Sequence, residues 1–168
     1  MLYNVPGRTG VNMLPETILR LAEHHRIIAV KEASGSIDQS SQITVSAPAT
    51  FAVLSGDDSL TLPIMSVGGT GVVSVLSNIL PAPVAALAAA AAAGDYAEAR
   101  RIHLDLFDLC RAMFCETNPV PVKAAAAMLG LCSDEVRLPL APLSEASRRR
   151  VELALDACPW VPGRTIAA

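Results

Sequence analysis

The chain has 168 residues, 52% of them apolar and 17% charged, with a net charge of −3. That is the length of one ordinary domain, but an average soluble protein carries ~25% charged residues, so the excess of apolar surface implies a partner surface or a further piece of the same chain. The balance lacks the basic footprint of a nucleic-acid binder, and aromatic residues are too sparse for base stacking.

In chain order, "MLYNV" (1–5) reads as a strand, and "LPETILRLAEHH" (14–25) as a helix with proline in its first turn and Ile18, Leu19, Leu21 and Ala22 on one face. "IIAV" (27–30) is a second strand, "SIDQSSQITV" (36–45) a weaker helix, and "FAVL" (51–54) a third strand. "DDSLTLPIMSVGG" (57–69) starts with an aspartate cap and ends at two glycines, although Pro63 falls inside it, and "GVVSV" (71–75) is a fourth strand. Continuous apolar runs rich in Val and Ile suit strands covered on both faces, and the alternation of strand and helix argues for a parallel α/β sheet.

From about residue 82 the pattern becomes helical: "APVAALAAAAAAG" (82–94), "DYAEARRIHLDLFDLCRAMF" (95–114) with Asp95 as cap, "PVPVKAAAAMLG" (119–130) and "PLSEASRRRVELALDAC" (142–158). The chain thus divides at 1–81 and 82–168. Four strands leave two open sheet edges, which proteins normally avoid, whereas a (β/α)₈ barrel has eight strands over ~250 residues. The fold class expected is α/β, the C-terminal half of a TIM barrel followed by a helical C-terminal domain.

The longest apolar run, Val84 to Ala93, is short of the ~18 residues of a spanning helix, and the N-terminus carries no secretory pattern. The four cysteines, Cys110, Cys115, Cys132 and Cys158, include no C-x-x-C pair, which favours reduced thiols buried in helices over a metal or redox site. The expectation is a soluble, cytoplasmic protein without metal, membrane or nucleic-acid partner.

In such barrels the reactive groups sit at the C-terminal ends of strands. Counting from each run brings Tyr3 and Asn4, Lys31, Ser55-Gly56-Asp57-Asp58, and Val73-Ser74 to one rim. Lys31 closes an apolar run. An amine held between low-dielectric walls loses hydration, which favours the neutral form able to condense with a ketone to an imine. The alternatives are a lysine that reaches the rim to stay solvated, or one paired with Glu32. The Tyr3 hydroxyl could relay protons or merely pack; Arg8, carried on a Pro-Gly turn, could grip a carboxylate or be a solvated loop residue. Asp57 and Asp58 read more simply as helix caps than as acids or ligands, and "GGTG" (68–71) matches neither phosphate-binding glycine pattern.

Five stretches, "YNVPGRTG" (3–10), "VKEASG" (30–35), "LSGDD" (54–58), "GGTGVVSV" (68–75) and "NPVPVKAA" (118–125), occur in the order seen in the dihydrodipicolinate synthase family, which the chain resembles from Tyr3 to about Leu155. The family belongs with pyruvate-dependent lyases related to N-acetylneuraminate lyase. The resemblance implies a (β/α)₈ barrel with a helical C-terminal domain and a homotetramer. Lys31 would form a Schiff base with pyruvate, and Tyr3 would donate and accept protons. Arg8 would bind the carboxylate of L-aspartate 4-semialdehyde, and the Val73 backbone would contact pyruvate. No metal or organic cofactor is implied.

The arginine of "PGRTG" separates the synthases from sugar-acid lyases in that superfamily, so a lyase or aldolase of a 2-keto-3-deoxy sugar acid is the alternative with the same chemistry. Family members begin well before the tyrosine, with four more strands that carry a Thr-Thr pair for the pyruvate carboxylate and a second tyrosine. Their absence leaves a third reading, a half-barrel without catalysis of its own.

Overall fold

Four short strands, β1 (Leu2–Asn4), β2 (Ala29–Glu32), β3 (Ala52–Ser55) and β4 (Gly71–Val72), lie side by side in that order, and each neighbouring pair is parallel. A parallel pair needs a crossover between its strands, and α2 (Pro15–Ala22), α3 (Ile37–Ser46) and α4 (Thr61–Ser66) supply the three. This computed structural model describes residues 1–161 and 163. The chain divides into two compact units, one of Met1–Ser74 with Ala88–Ala99, the other of Val75–Leu87 with the residues from Arg100 on.

In the first unit the strands alternate. Val30, Glu32, Val53 and Ser55 are buried, whereas Lys31, Ala52 and Leu54 between them are only half-buried; Ala29, on the same side of β2 as Lys31, is buried as well. Successive strand residues point to opposite faces, so one face carries the core. Ile18 and Ala22 from α2, Ile43 from α3 and Ile64 from α4 pack with Val30, Phe51 and Val53 there. The expectation of strands covered on both faces is therefore corrected: within this unit one face is sealed by helices and the other is more open.

Two strand positions also differ from the sequence reading. The second strand runs from Ala29 to Glu32 rather than over 27–30, because Ile27 donates its N–H to the His24 carbonyl at 2.8 Å in the turn that follows α2. Lys31 consequently lies inside the ladder, not after it. The fourth strand has only Gly71 and Val72 of the expected 71–75, extended by one bond from the Val73 N–H to the Ser55 carbonyl at 2.8 Å.

Local chemistry accounts for the helix ends. A short helix, α1 (Pro6–Thr9), starts on proline and closes at Gly10, whose φ of 71° lies in the left-handed region that favours glycine. Ser36 caps α3 by accepting the Gln39 N–H at 3.1 Å. Pro63 is tolerated as the third residue of α4, in the first turn, where its missing N–H breaks no bond within that helix. That helix ends in a Schellman closure: Gly69 donates to Ile64 at 2.9 Å and Gly68, with φ of 100°, donates to Met65 at 3.1 Å. The first two glycines of "GGTG" thus serve a helix terminus, and the third, Gly71, opens β4.

After β4 the chain is helical, with α5 (Pro81–Ala92), α6 (Tyr96–Ala112), α7 (Val120–Met128) and α8 (Glu145–Ala157). Asp95 caps α6 as its sequence suggests, accepting the Glu98 N–H at 3.0 Å. In the second unit α7 packs on α8, burying Val122, Ala125, Val151 and Leu155. The alanines of α7 allow that approach. Of the four free cysteines, Cys110 and Cys158 are buried, Cys115 is half-buried and Cys132 is exposed; only Cys110 lies in a helix, which corrects the expectation of helical thiols. Among the described residues no helix is long and apolar enough to cross a membrane.

Ile43 is fully buried between the sheet and α2. Ile43→Ala is expected to destabilise the chain by about 2–5 kcal/mol, the range for truncating a buried aliphatic side chain, read as a lower urea midpoint at unchanged slope.

Candidate active site

The ladder between β1 and β2 sets Tyr3 opposite Lys31 and Asn4 opposite Glu32. Because side chains alternate along a strand, the two pairs project to opposite faces. Tyr3 and Lys31 occupy the open face, with the lysine amine 4.2 Å from the centre of the tyrosine ring. That is a cation–π distance, and it brings together the two residues with the most reactive side chains in the sequence reading.

Asn4 and Glu32 occupy the helix-covered face, and both are 1% exposed. The Glu32 carboxylate accepts from the Ser34 N–H at 2.7 Å, from Asn4 Nδ2 at 3.1 Å to each oxygen, and from Gln39 Nε2 at 3.1 Å. Around it, Asn12 Oδ1 accepts from Asn4 Nδ2 at 2.8 Å, Asn12 Nδ2 donates to Gln39 Oε1 at 2.9 Å, and Asn4 Oδ1 accepts the Met13 N–H at 2.9 Å. Every partner of Glu32 donates, the arrangement a carboxylate, an acceptor only, can satisfy. The alternative of a Lys31–Glu32 ion pair does not form; the two side chains leave the strand on opposite sides.

Behind Lys31 the end of β3 comes very close. A Cβ at Gly56 would lie 2.6 Å from Ala33 Cβ, 3.1 Å from the Glu32 carbonyl and 3.2 Å from Lys31 Cε. The Gly56 N–H donates to that carbonyl at 2.7 Å. A side chain at this position would collide first with Ala33 and would also crowd the lysine stem.

Asp57 and Asp58 follow. The expected capping explanation does not account for Asp57, whose side chain makes no cap bond to the 3₁₀ turn at Asp58–Leu60. Its backbone is held by Ser55, whose hydroxyl donates to the Asp57 carbonyl at 2.7 Å. Burial raises the Asp57 pKa above its ordinary value, the neighbouring Asp58 raises it further, Lys31 opposes the shift, and Glu32 adds to it. Asp58 is buried and accepts the Ser74 hydroxyl.

Val73 is half-buried beside β3, and its N–H is committed to the Ser55 carbonyl. Arg8 stands apart, exposed on α1, and among the described residues its side chain forms no hydrogen bond or ion pair. No group of three His, Cys, Asp or Glu side chains among the described residues is placed to hold a metal ion. Sequence reasoning missed Asn12, Gln39 and the role of Glu32. The available signal was a charged residue, one past Lys31, at a position whose parity in the ladder matches the buried Val30.

The sequence profile of the Dihydrodipicolinate synthetase family matches residues 1–158. The 4-hydroxy-tetrahydrodipicolinate synthase of Thermomicrobium roseum is 58% identical over 159 residues, which cover 95% of this chain and 53% of that protein. The solved 4-hydroxy-tetrahydrodipicolinate synthase of Methylacidiphilum fumariolicum superposes with a TM-score of 0.91 at 48% identity, over 94% of this chain and 53% of that one. The dihydrodipicolinate synthase of Acinetobacter baumannii, solved in complex with pyruvate, gives a TM-score of 0.91 at 38% identity over 95% of this chain and 55% of that one. The chain spans about half the length of the relatives it matches.

The raised Asp57 pKa has a stability consequence with a defined sign. The folded state holds the proton to higher pH than the unfolded state, so ionisation of Asp57 opposes folding. The penalty is absent below the unfolded aspartate range and complete above the folded pKa. Asp57→Asn is expected to raise the urea midpoint near neutral pH, with the gain vanishing as the pH falls through the carboxylate range.

Proposed function

The chain belongs to the dihydrodipicolinate synthetase family, and from that premise we propose that it carries the Schiff-base half of a 4-hydroxy-tetrahydrodipicolinate synthase active site. The observation that supports this reading is the Tyr3–Lys31 pair, held 4.2 Å apart on adjacent parallel strands. In the proposed reaction the Lys31 amine attacks the keto carbon of pyruvate and water leaves, giving an imine. Loss of a methyl proton gives the enamine, whose carbon attacks the aldehyde of L-aspartate 4-semialdehyde. Cyclisation through the substrate's amine then displaces Lys31. Tyr3 is the proton donor and acceptor for these steps, Val73 contacts pyruvate through its backbone, and Arg8 binds the carboxylate of the semialdehyde. No metal or organic cofactor enters.

The chain is proposed as the C-terminal half of a (β/α)₈ barrel, with the barrel half over 1–81 and the helical domain over 82–168. The order of four strands followed by four helices supports this, as does the coverage of about half of each relative. The complete assembly is proposed to be a cytoplasmic homo-oligomer, a tetramer by family resemblance, acting in lysine biosynthesis.

Borohydride reduction in the presence of pyruvate, followed by peptide mass mapping, tests the reading: a stable adduct is expected on the Lys31 peptide and on no other lysine. A folded chain that yields no adduct there overturns it. The substrate assignment has its own test, in which Arg8→Ala weakens KM for the semialdehyde on the order of tenfold or more, as loss of a charge-assisted contact predicts, while pyruvate trapping is unchanged. An Arg8→Ala variant with unaltered aldehyde preference favours the sugar-acid alternative.

A further inference from the structure

We propose that Glu32 is a positioning residue for the Tyr3–Lys31 pair, acting from the opposite face of the sheet through Asn4, Asn12 and Gln39; its catalytic significance rests on the Schiff-base reading above. Each reactive residue is followed directly by a member of the network: Tyr3 by Asn4, Lys31 by Glu32. The two pairs share one ladder register, Tyr3 with Lys31 and Asn4 with Glu32. The bonds from Asn4 Nδ2 to both Glu32 oxygens therefore fix, from behind, the same strand-to-strand alignment that puts the amine over the ring.

A one-residue slip in a parallel pair turns every side chain to the other face. Here a slip of β1 against β2 would turn Tyr3 toward the core face and Asn4 away from it, leaving Lys31 without its ring and Glu32 without its amide, while β2 stays fixed by its four-pair ladder to β3. β1 is only Leu2–Asn4, so its backbone ladder to β2 offers little resistance to such a slip. The side-chain tie adds what the short ladder lacks. It is itself anchored to two other elements: Gln39 donates from α3 at 3.1 Å, and Asn12 reaches both Asn4 and Gln39 from the segment before α2.

Burial makes the arrangement stringent. Asn4 and Glu32 are both 1% exposed, and Gln39 is 7% exposed, so water cannot replace a lost partner cheaply. Three N–H donors, on Asn4, Ser34 and Gln39, converge on one carboxylate. A glutamine there keeps the volume but presents its own N–H₂ to at least one of those donors, whichever way the amide turns. Reversing the polarity should repair it. In the double variant Asn4→Asp with Glu32→Gln, the new carboxylate on β1 accepts from the new amide on β2, and the Asn12 amide can turn to donate to it.

The test uses the 168-residue chain and reads the geometry directly. With the Lys31 methylene signals assigned by comparison with Lys31→Arg, the wild type is expected to show them shifted upfield by the Tyr3 ring. Glu32→Gln is expected to lose that shift, and its pyruvate–borohydride labelling at Lys31 to fall on the order of a hundredfold, the scale for misplacing a reacting group by about 1 Å. The double variant is expected to restore both. A folded Glu32→Gln variant that keeps the ring shift and the labelling rate while losing only stability overturns the proposal. If that variant does not fold, the double variant decides: folded with the shift supports it, folded without the shift overturns it. A wild type that shows the ring shift but takes no label refutes the Schiff-base reading and leaves the positioning role to be judged on the shift alone.

Discussion

A buried carboxylate with only donors around it organises the sheet face under the helices. Glu32 sits where an apolar residue would continue the core of Val30 and Val53, and a polar group buried there is tolerated only if its oxygens are matched. The match comes from three places in the sequence: the neighbouring Ser34 backbone, Asn4 on the next strand, and Gln39 on the following helix. Once those groups are drawn together, the relative placement of β1, β2 and α3 has little freedom. An apolar replacement would bind the same elements less selectively, since dispersion contacts tolerate sliding and directed hydrogen bonds do not.

The same constraint gives the sheet two characters. Toward the helices it is a packed core edged by a saturated polar cluster. Toward the opposite side it presents Tyr3 and Lys31, with Gly56 leaving room for the lysine stem. Asp57 adds a half-buried acid whose ionisation is disfavoured by burial and by its neighbour Asp58, and favoured by Lys31. An amine and a phenol thus share one face of the sheet, and a half-buried carboxyl follows the end of β3.

Much of this was legible in the residues. Apolar β-branched runs separated by helical spacing announced the parallel α/β sheet, and counting from those runs brought Tyr3 and Lys31 together, although Asn4, expected beside them, faces the helices. What could not be read were quantities set by partners distant in the chain. The run at Ile27 and Ile28 looks like strand because apolarity reports burial, yet Ile28 is 64% exposed and the ladder begins at Ala29. Glu32 looked like a counter-ion for Lys31 because adjacency in sequence is visible and alternation across a strand hides it. Asn12 carries no local pattern at all; its importance arises only when Asn4 and Gln39 arrive beside it. Asp57 resembled a cap because Asp often is one, while its actual surroundings depend on where β2 ends.

The glycine closure of α4 has a reach beyond the helix it terminates. Immediately after it, the Thr70 N–H meets the Val53 carbonyl at 2.8 Å and the Val73 N–H meets Ser55 at the same distance, so the reversal delivers the chain onto the sheet already in step. Gly69 has no room for a side chain, since a Cβ would stand 2.8 Å from the Ile64 carbonyl. The span from Thr61 to Gly71 behaves as a measured spacer: residues on its outer surface are free to drift in identity, whereas a single insertion or deletion would carry Val73 out of step with the strand beside it.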